Sequence, residues 1–312
     1  MPKIGFPKTK MSEERRIALL PEDINDHIKN PRLLYFERGY GRDFGIKDRD
    51  YRLTGAHIVD RKTAYSLEVL CQPKFCENDL SYLGMQVRTV FGWLHLDKDL
   101  DKNILEVMEK SKITAIAWEF MERDKRKVFE KNSMLTGEIG ILHAMNYFRR
   151  SSENCSVAVI GRKTVAQAAI NQLKTLGFNR ITVYHTQNST KLKDDLETYD
   201  VLVDCACSST EILDSNHLKK MKPGALLIDM GRSCMWGGYK PQSIYSPIVY
   251  INEGRNPVYC IKNIPTLVYQ IATRFISRDV APYIELLTSG KIDDTLRDAT
   301  VVQEGIPIIH RL

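Results

Sequence analysis

The chain has no C-x-x-C pair, no apolar run near the roughly 20 residues that cross a bilayer, and no stretch where basic residues crowd without acids between them. Seven cysteines (71, 76, 155, 205, 207, 234 and 260) are an odd number without metal-binding spacing, and four lie in apolar, strand-like runs. That pattern suits reduced, buried thiols, so no metal site is expected. The opening "MPKIGFPKTKMSEERR" lacks the apolar core of a signal peptide, and a cytoplasmic protein with no membrane association is expected. The formal charge of +6 is dispersed, as "MERDKRKVFEKN" illustrates, so no nucleic-acid partner is expected, while small anions such as phosphates and carboxylates are favoured. An apolar content of 43% beside 27% charge excludes disorder as the main state.

What is present is alternation. Short β-rich runs ("KIGFP", "LLYFE", "LEVLCQ", "RTVFGWL", "TAIAWEF", then "SVAVIG", "ITVYH", "VLVDCA", "ALLIDM", "VYCI") are separated by stretches of helical period such as "LDKNILEVMEKS". Strand, helix, strand repetition predicts an α/β protein with parallel sheets and crossover helices. A length of 312 residues favours two domains. The boundary is expected in "MERDKRKVFEKNSMLTG", a charge-rich and strand-poor stretch, and the helical "EIGILHAMNYF" after it is read as a link between domains. The helical tail is expected to return to the first domain. Two Rossmann-like domains follow: a discontinuous outer substrate domain (1–133 and 267–312) and an inserted dinucleotide domain (134–266).

In the inserted domain, Gly161 closes the apolar run 157–160, and 163–176 reads as a helix with apolar positions 165, 166, 169, 170, 173 and 176. Strand, glycine turn and helix is the context in which helix N-terminal amides hold a pyrophosphate. The pattern G-x-G-x-x-G/A is met at Gly161 and Ala166 but not at Lys163, with Arg162, Thr164 and Val165 filling the turn. The second strand ends 24 residues after Gly161 at His185, Thr186 and Gln187, where an NAD-preferring site carries an acid for the ribose 2′-hydroxyl. A carboxylate 4 Å from a 2′-phosphate would repel it by about 4 kcal/mol per charge pair at an effective dielectric of 20. Losing that acid forfeits a charged hydrogen bond to NAD of about 1.5–3 kcal/mol. The exchange favours NADP(H); the alternative is a solvent-exposed polar turn. Ala206 and Cys207 after the third strand, Arg232 after the fourth and Asn263 in "KNIPT" are further cofactor candidates.

Three places in the outer domain bring charge to strand ends: Arg15 and Arg16 before "IALLP", Lys74 after "EVLCQP", and His95 in "WLHL". Singly, each has a structural explanation as a surface or core residue. Together, "KIGFPKTKMSEERRIALLP", "FERGYGRDFGIKDRDYRLTGAHIV", "WLHLDKD", "TAIAWEF", "MKPGALLIDM" and "VYCIKNIPTLVYQIATRFISRDVAPYIELL" resemble, in order and over nearly the whole chain, the alanine dehydrogenase superfamily.

The resemblance implies that Arg16 holds a keto-acid carboxylate, a task its planar fork suits. It implies that Lys74 is the active-site lysine, that His95 is the active-site histidine, and that Glu119 falls at an acidic position of the substrate site. Arg16 would orient the keto acid, Lys74 would polarise its carbonyl, and His95 would move protons. The short chain, without the Gly/Val-rich segment that precedes the nucleotide strand in alanine dehydrogenases, is most similar to the branch that reductively joins pyruvate to the side-chain amine of ornithine or lysine with NADPH. A homo-oligomer acting on a keto acid and an amino acid is thereby implied. The readings left open are alanine dehydrogenase (pyruvate and ammonia), saccharopine dehydrogenase (2-oxoglutarate and lysine), and a non-catalytic nucleotide-binding regulator.

Overall fold

Runs such as "VLVD", "LLID" and "SVAVI" have almost no polar interruption, as strands must when both faces of a parallel sheet are covered by helices. The computed structural model describes residues 1–75, 86–94, 102–185, 189–206, 212–231, 240 and 242–308. The chain divides into two units, Met1–Glu130 with Tyr269–Leu312, and Lys131–Val268. The first stretch supplies β1 (Ile4–Phe6), β2 (Leu34–Glu37), β3 (His57–Val59), β4 (Val69–Lys74), β5 (Thr89–Trp93), β6 (Thr114–Ala117), β7 (Glu122–Arg123) and β8 (Arg126–Lys127). The second unit supplies β9 (Ser156–Ile160), β10 (Arg180–Tyr184), β11 (Val201–Asp204), β12 (Leu226–Asp229), β13 (Ile248–Ile251) and β14 (Asn256–Cys260). Back in the first unit come β15 (Thr300–Gln303) and β16 (Ile306–Pro307).

Among the described residues, the first unit's main sheet has the order β16-β15-β6-β5-β4-β1-β2-β3. Strands β1 to β6 pair in parallel, while β15 and β16 add antiparallel at one edge. The chain builds from β1 outward to β3, then returns to lay β4 on the other side of β1. This reversal is a topological switch point, and the carboxyl ends of β1 and β4 flank the crevice where ligands of open α/β sheets bind. The core gathers Phe6, Phe36, Tyr51, Trp118, Ile276 and Ile284.

The second unit repeats the device, with the order β10-β9-β11-β12-β14-β13 and its switch point between β9 and β11. All its pairings are parallel except β13 against β14. The helix Thr164–Thr175 buries Ala166, Ala169, Ile170 and Leu173, the i, i+3, i+4, i+7 face expected of it, and Val165 and Leu176 pack partly buried beside them. It begins one residue later and ends one residue earlier than its apolar spacing suggests.

The fold belongs to the expected class, and three details depart from the sequence reading. The stretch read as strand-poor forms the β7–β8 ribbon, turned by Asp124 and Lys125 at φ 52° and 63°. Its strands are exposed and charged, so they lack the apolar signature that marks the others. The helix read as a link, Glu130–Met145, packs Ile141 and Ala144 into the second unit's own core. The tail, read as helical, also supplies β15 and β16. Cys71, Cys155, Cys205 and Cys260 are free thiols, and burial pushes the Cys260 thiol up to about 12. Among the described residues no helix is long and apolar enough to cross a membrane.

Candidate active site

The segment between β1 and the helix Pro21–His27 crosses the first unit's switch point without regular structure, and side chains from elsewhere fix it. The Lys8 amide donates to Glu37 Oε2 (2.8 Å), and Thr9 Oγ1 donates to the Lys74 carbonyl (3.2 Å). The amides of Ile17 and Leu20 donate to the hydroxyls of Thr273 (3.1 Å) and Ser277 (2.8 Å) on the helix Tyr269–Thr288. The Ala18 amide donates to the Tyr40 hydroxyl (2.8 Å). A buried loop needs such partners for its backbone, and here they set the path that carries Arg16.

Arg16 is 4% exposed and held by a residue that the search for basic side chains passed over. Its backbone amide and Nε both donate to Glu14 Oε1 (2.9 Å each), and Nη2 donates to Oε2 (2.7 Å). The guanidinium carbon stands 4.8 Å from the centre of the Trp93 ring. Nε and Nη2, one edge of the guanidinium, are thus engaged by Glu14. Burial pushes the Glu14 carboxyl up, but the charge and hydrogen bonds of Arg16, joined by the charge of Lys74, outweigh it and hold the group below its ordinary 4.5. Arg16 and Lys74 thus act on one buried carboxylate, and the three groups together carry a net charge of +1. The available signal was the Glu14-x-Arg16 spacing: in an extended segment, residues two apart share a face.

Lys74, 6% exposed, ends β4 beside Trp93 of β5, past a register shift between Cys71 and Lys74. Gly92 permits that irregularity: a Cβ there would lie 2.1 Å from the Gln72 carbonyl oxygen and 2.9 Å from the Phe75 ring. His95 lies outside the described residues. The Leu94 amide, immediately before it, donates to Glu119 Oε2 (3.2 Å), and Lys127 Nζ donates to the Glu119 carbonyl (2.9 Å). Glu119 therefore secures the end of β5. A cavity of about 250 Å³ opens at this switch point, with Arg16, Glu14, Tyr40 and Pro73 in its wall. Its size suits small acids.

In the second unit, Gly161 stands at φ 121°, where L side chains are strained, and a Cβ would come 3.2 Å from the Cys205 carbonyl. The Gly161 amide donates to the Tyr184 carbonyl (2.8 Å), tying the turn to the end of β10 and so to His185, the next residue. Arg162 and Lys163 are exposed; Thr164 and Val165 open the helix half-buried. Lys163 has φ −80° and ψ −174°, ordinary extended backbone, so the second pattern position does not require a glycine's torsional freedom here. A glycine-only turn at a switch point, running into a twelve-residue helix, fits a dinucleotide's pyrophosphate. The Ala206 amide donates to Asp204 Oδ1 (2.8 Å), and Asn263 accepts from the Thr266 amide (3.1 Å). Thr186, Gln187, Cys207 and Arg232 lie outside the described residues.

Two further carboxylates went unread. Asp204 and Asp229 are register partners at the carboxyl ends of β11 and β12, and Asp204 is wholly buried. Each accepts from the amide two residues on, Asp229 from Gly231 (3.1 Å), the local bond by which an aspartate closes a strand. An acid at the end of a wholly apolar run, as in "VLVD" and "LLID", was the visible sign.

Comparison with known proteins agrees with this architecture. Residues 5–135 match the model described as alanine dehydrogenase/PNT, N-terminal domain, and residues 157–311 match its C-terminal domain counterpart. The chain belongs to the alanine dehydrogenase/PNT family. It is 28% identical to an N(5)-(carboxyethyl)ornithine synthase of Lactococcus lactis subsp. lactis, over 88% of this chain and 92% of that protein. It is 23% identical to an alanine dehydrogenase of Methanococcus maripaludis, over 90% and 86%. Its fold matches a solved L-alanine dehydrogenase at a TM-score of 0.77 and 19% identity, covering 98% of this chain and 96% of that one.

Proposed function

We propose that this oxidoreductase of the alanine dehydrogenase family uses NADPH to join pyruvate reductively to the side-chain amine of ornithine or lysine, giving an N-(1-carboxyethyl) amino acid. The observation that carries the reading is the buried Glu14, Arg16 and Lys74 cluster at the first unit's switch point, beside a cavity sized for small acids. The similarity to an N(5)-(carboxyethyl)ornithine synthase along nearly the full length of both chains supports the choice of amine.

The net positive charge of the cluster draws the pyruvate carboxylate, with Arg16 as its anchor and Glu14 with the Trp93 ring setting the guanidinium plane. Lys74 directs its ammonium at the keto oxygen and makes the carbonyl carbon more electrophilic. The amine adds there, and loss of water from the adduct requires one proton delivered to the departing hydroxyl and one taken from nitrogen. His95 performs these transfers, imidazole being the side chain suited both to give and to take a proton. Glu119 positions the backbone leading to it. Gly161, Arg162, Lys163, Thr164, Val165, His185, Thr186, Gln187, Ala206, Cys207, Arg232 and Asn263 would hold the dinucleotide. When bound, its reduced ring would supply the hydride taken up by the imine carbon, and with one proton returned to the nitrogen the product is a secondary amine.

The test is NADPH oxidation with pyruvate crossed against ammonia, ornithine and lysine, repeated with NADH. Turnover is expected to require pyruvate with ornithine or lysine and to prefer NADPH. Activity with ammonia alone would make the protein an alanine dehydrogenase and overturn the reading.

A further inference from the structure

The cavity of the first unit holds more positive charge than one keto acid uses. Among the described residues, five cationic side chains line it. Arg16 is matched by Glu14 at 2.7 Å. Lys8 and Arg61 both turn to Glu37, at 4.0 and 3.0 Å. Arg15 and Arg42 remain, with Asp43 as the acid in the same wall, 3.8 Å from Arg15 Nε.

These two arginines differ from ordinary surface cations in complementary ways. Arg15 is immobilised before any ligand arrives. Its guanidinium carbon lies 3.9 Å from the centre of the Tyr269 ring, and Nη2 donates to the Tyr269 hydroxyl (2.9 Å). That hydroxyl donates in turn to the Asp43 carbonyl (2.9 Å), and Phe44 packs edge-on against the ring at 5.2 Å. A stacked and hydrogen-bonded guanidinium has already given up most of its rotamer freedom, which lowers the entropy lost on binding. Arg42 is unpaired: among the described residues its side chain makes no hydrogen bond and no ion pair. Among the described residues, then, the same wall holds a guanidinium already fixed in place and, at Arg42, a second one that no acid engages.

We propose that Arg15 and Arg42 form a second carboxylate site, which selects the amine donor by its α-carboxylate. The inference rests on the reductive condensation proposed above and adds to it the residues that read the donor's α-carboxylate and so disfavour a diamine lacking one. A planar carboxylate suits a pair of guanidinium groups, one rigid and one adaptable. Arg16 and Lys74 take the keto acid, and the outer pair takes the other end of the co-substrate.

The experiment compares ornithine, lysine and 1,4-diaminobutane, which is ornithine without its carboxylate, as amine donors for the wild type, Arg42→Gln and Arg15→Gln. The wild type is expected to use the diamine poorly. Each variant should raise the KM for ornithine or lysine about tenfold or more while the KM for pyruvate moves by less than about twofold. Among the described residues the Arg42 side chain has no partner to lose, so Arg42→Gln keeps the fold even if Arg15→Gln disturbs the Tyr269 stack. A wild type as active on the diamine as on ornithine, or an Arg42→Gln enzyme with an unchanged amino-acid KM, overturns the second site and leaves the condensation standing. A wild type that turns over none of the amines with pyruvate overturns both.

Discussion

Removing either member of the Glu14–Arg16 pair should destabilise the first unit far more than removing both. The two side chains are 0% and 3% exposed, and three Arg16 donors converge on one carboxylate at 2.7 to 2.9 Å. Breaking a buried pair from one side strands a charge and costs about 3–5 kcal/mol, whereas replacing both members with neutral groups of similar volume is close to neutral. Glu14→Gln strands Arg16 beside Lys74, two cations without their common anion, and belongs at the upper end. Arg16→Met leaves Glu14 with Lys74 for company and belongs at the lower end. The cycle formed with the double variant should therefore show a coupling of about 3 kcal/mol or more.

The assay is urea unfolding followed by tryptophan fluorescence in a Trp236→Phe background. Trp93 and Trp118 then report the first unit alone, as a chain of two units requires for a single transition to be read. The pH dependence supplies an independent sign. Glu14 is held below 4.5 in the folded protein, so its contribution is present above that value and is lost as pH falls through the lower, folded one. Arg16→Met removes the guanidinium's charge and side-chain hydrogen bonds but keeps the residue-16 amide on Glu14, so burial is opposed less and the carboxyl moves up. That variant should gain stability on acidification over the range where the parent does not. Single-variant effects that add to within about 0.5 kcal/mol would refute the account of the pair as one buried unit.

Gly92→Ala should leave the second unit's dinucleotide affinity intact and sharply lower turnover, because the new methyl would lie 2.1 Å from the Gln72 carbonyl and must push the irregularity before Lys74; unchanged kcat with unchanged KM for pyruvate would count against Lys74 as an active-site group. Asp200 accepts from Arg150 Nη1 (2.7 Å), the Ser156 amide (2.9 Å) and Lys222 Nζ (3.1 Å). Burial pushes its carboxyl up, but the Ser156 and Lys222 bonds prevail and hold it below 3.8. Its contribution is thus present above pH 3.8 and lost as pH falls below it. Circular dichroism of Asp200→Asn should show weaker stability at neutral pH that converges with the parent in acid; a constant gap at every pH would refute this.

The alternation of apolar runs was legible because parallel strands are buried on both faces, which leaves β1, β5, β9 and the first half of β4 with little polar interruption. Of the strands that escaped notice, β3, β13 and β16 lie at sheet edges and β7 and β8 in the exposed ribbon, where one side meets solvent and polar residues are tolerated, while β15 is a short buried run between β6 and β16. The site was legible in part for a related reason. Cations at strand ends stand out from the sequence, so Arg16 and Lys74 were found. Glu14 was not, because its meaning lies in a partner two residues away in a segment with no periodicity. Arg15 stood out as a charge before an apolar run, but its stack on Tyr269, 254 residues away, could not be read from the sequence, and Arg42 was not singled out at all.

The two odd positions of the nucleotide motif bear differently on the proposed cofactor. A glycine in the second pattern position supplies two separable things, a free torsion and the absence of a side chain. At Lys163 the torsion is not needed, since φ is −80° and the backbone is extended, so a lysine sits there without strain and with its chain exposed. The demanding position is Gly161, at φ 121° against the Cys205 carbonyl, and there the glycine is kept. His185 follows from the same logic: the Gly161 amide is bonded to the Tyr184 carbonyl, so the residue after β10 is carried by the turn that would cradle the pyrophosphate. An acid there would meet a 2′-phosphate with about 4 kcal/mol of repulsion at 4 Å, and an imidazole does not. His185→Asp should accordingly lower the preference for NADPH over NADH, and a variant whose preference is unchanged would show that His185 does not read the ribose.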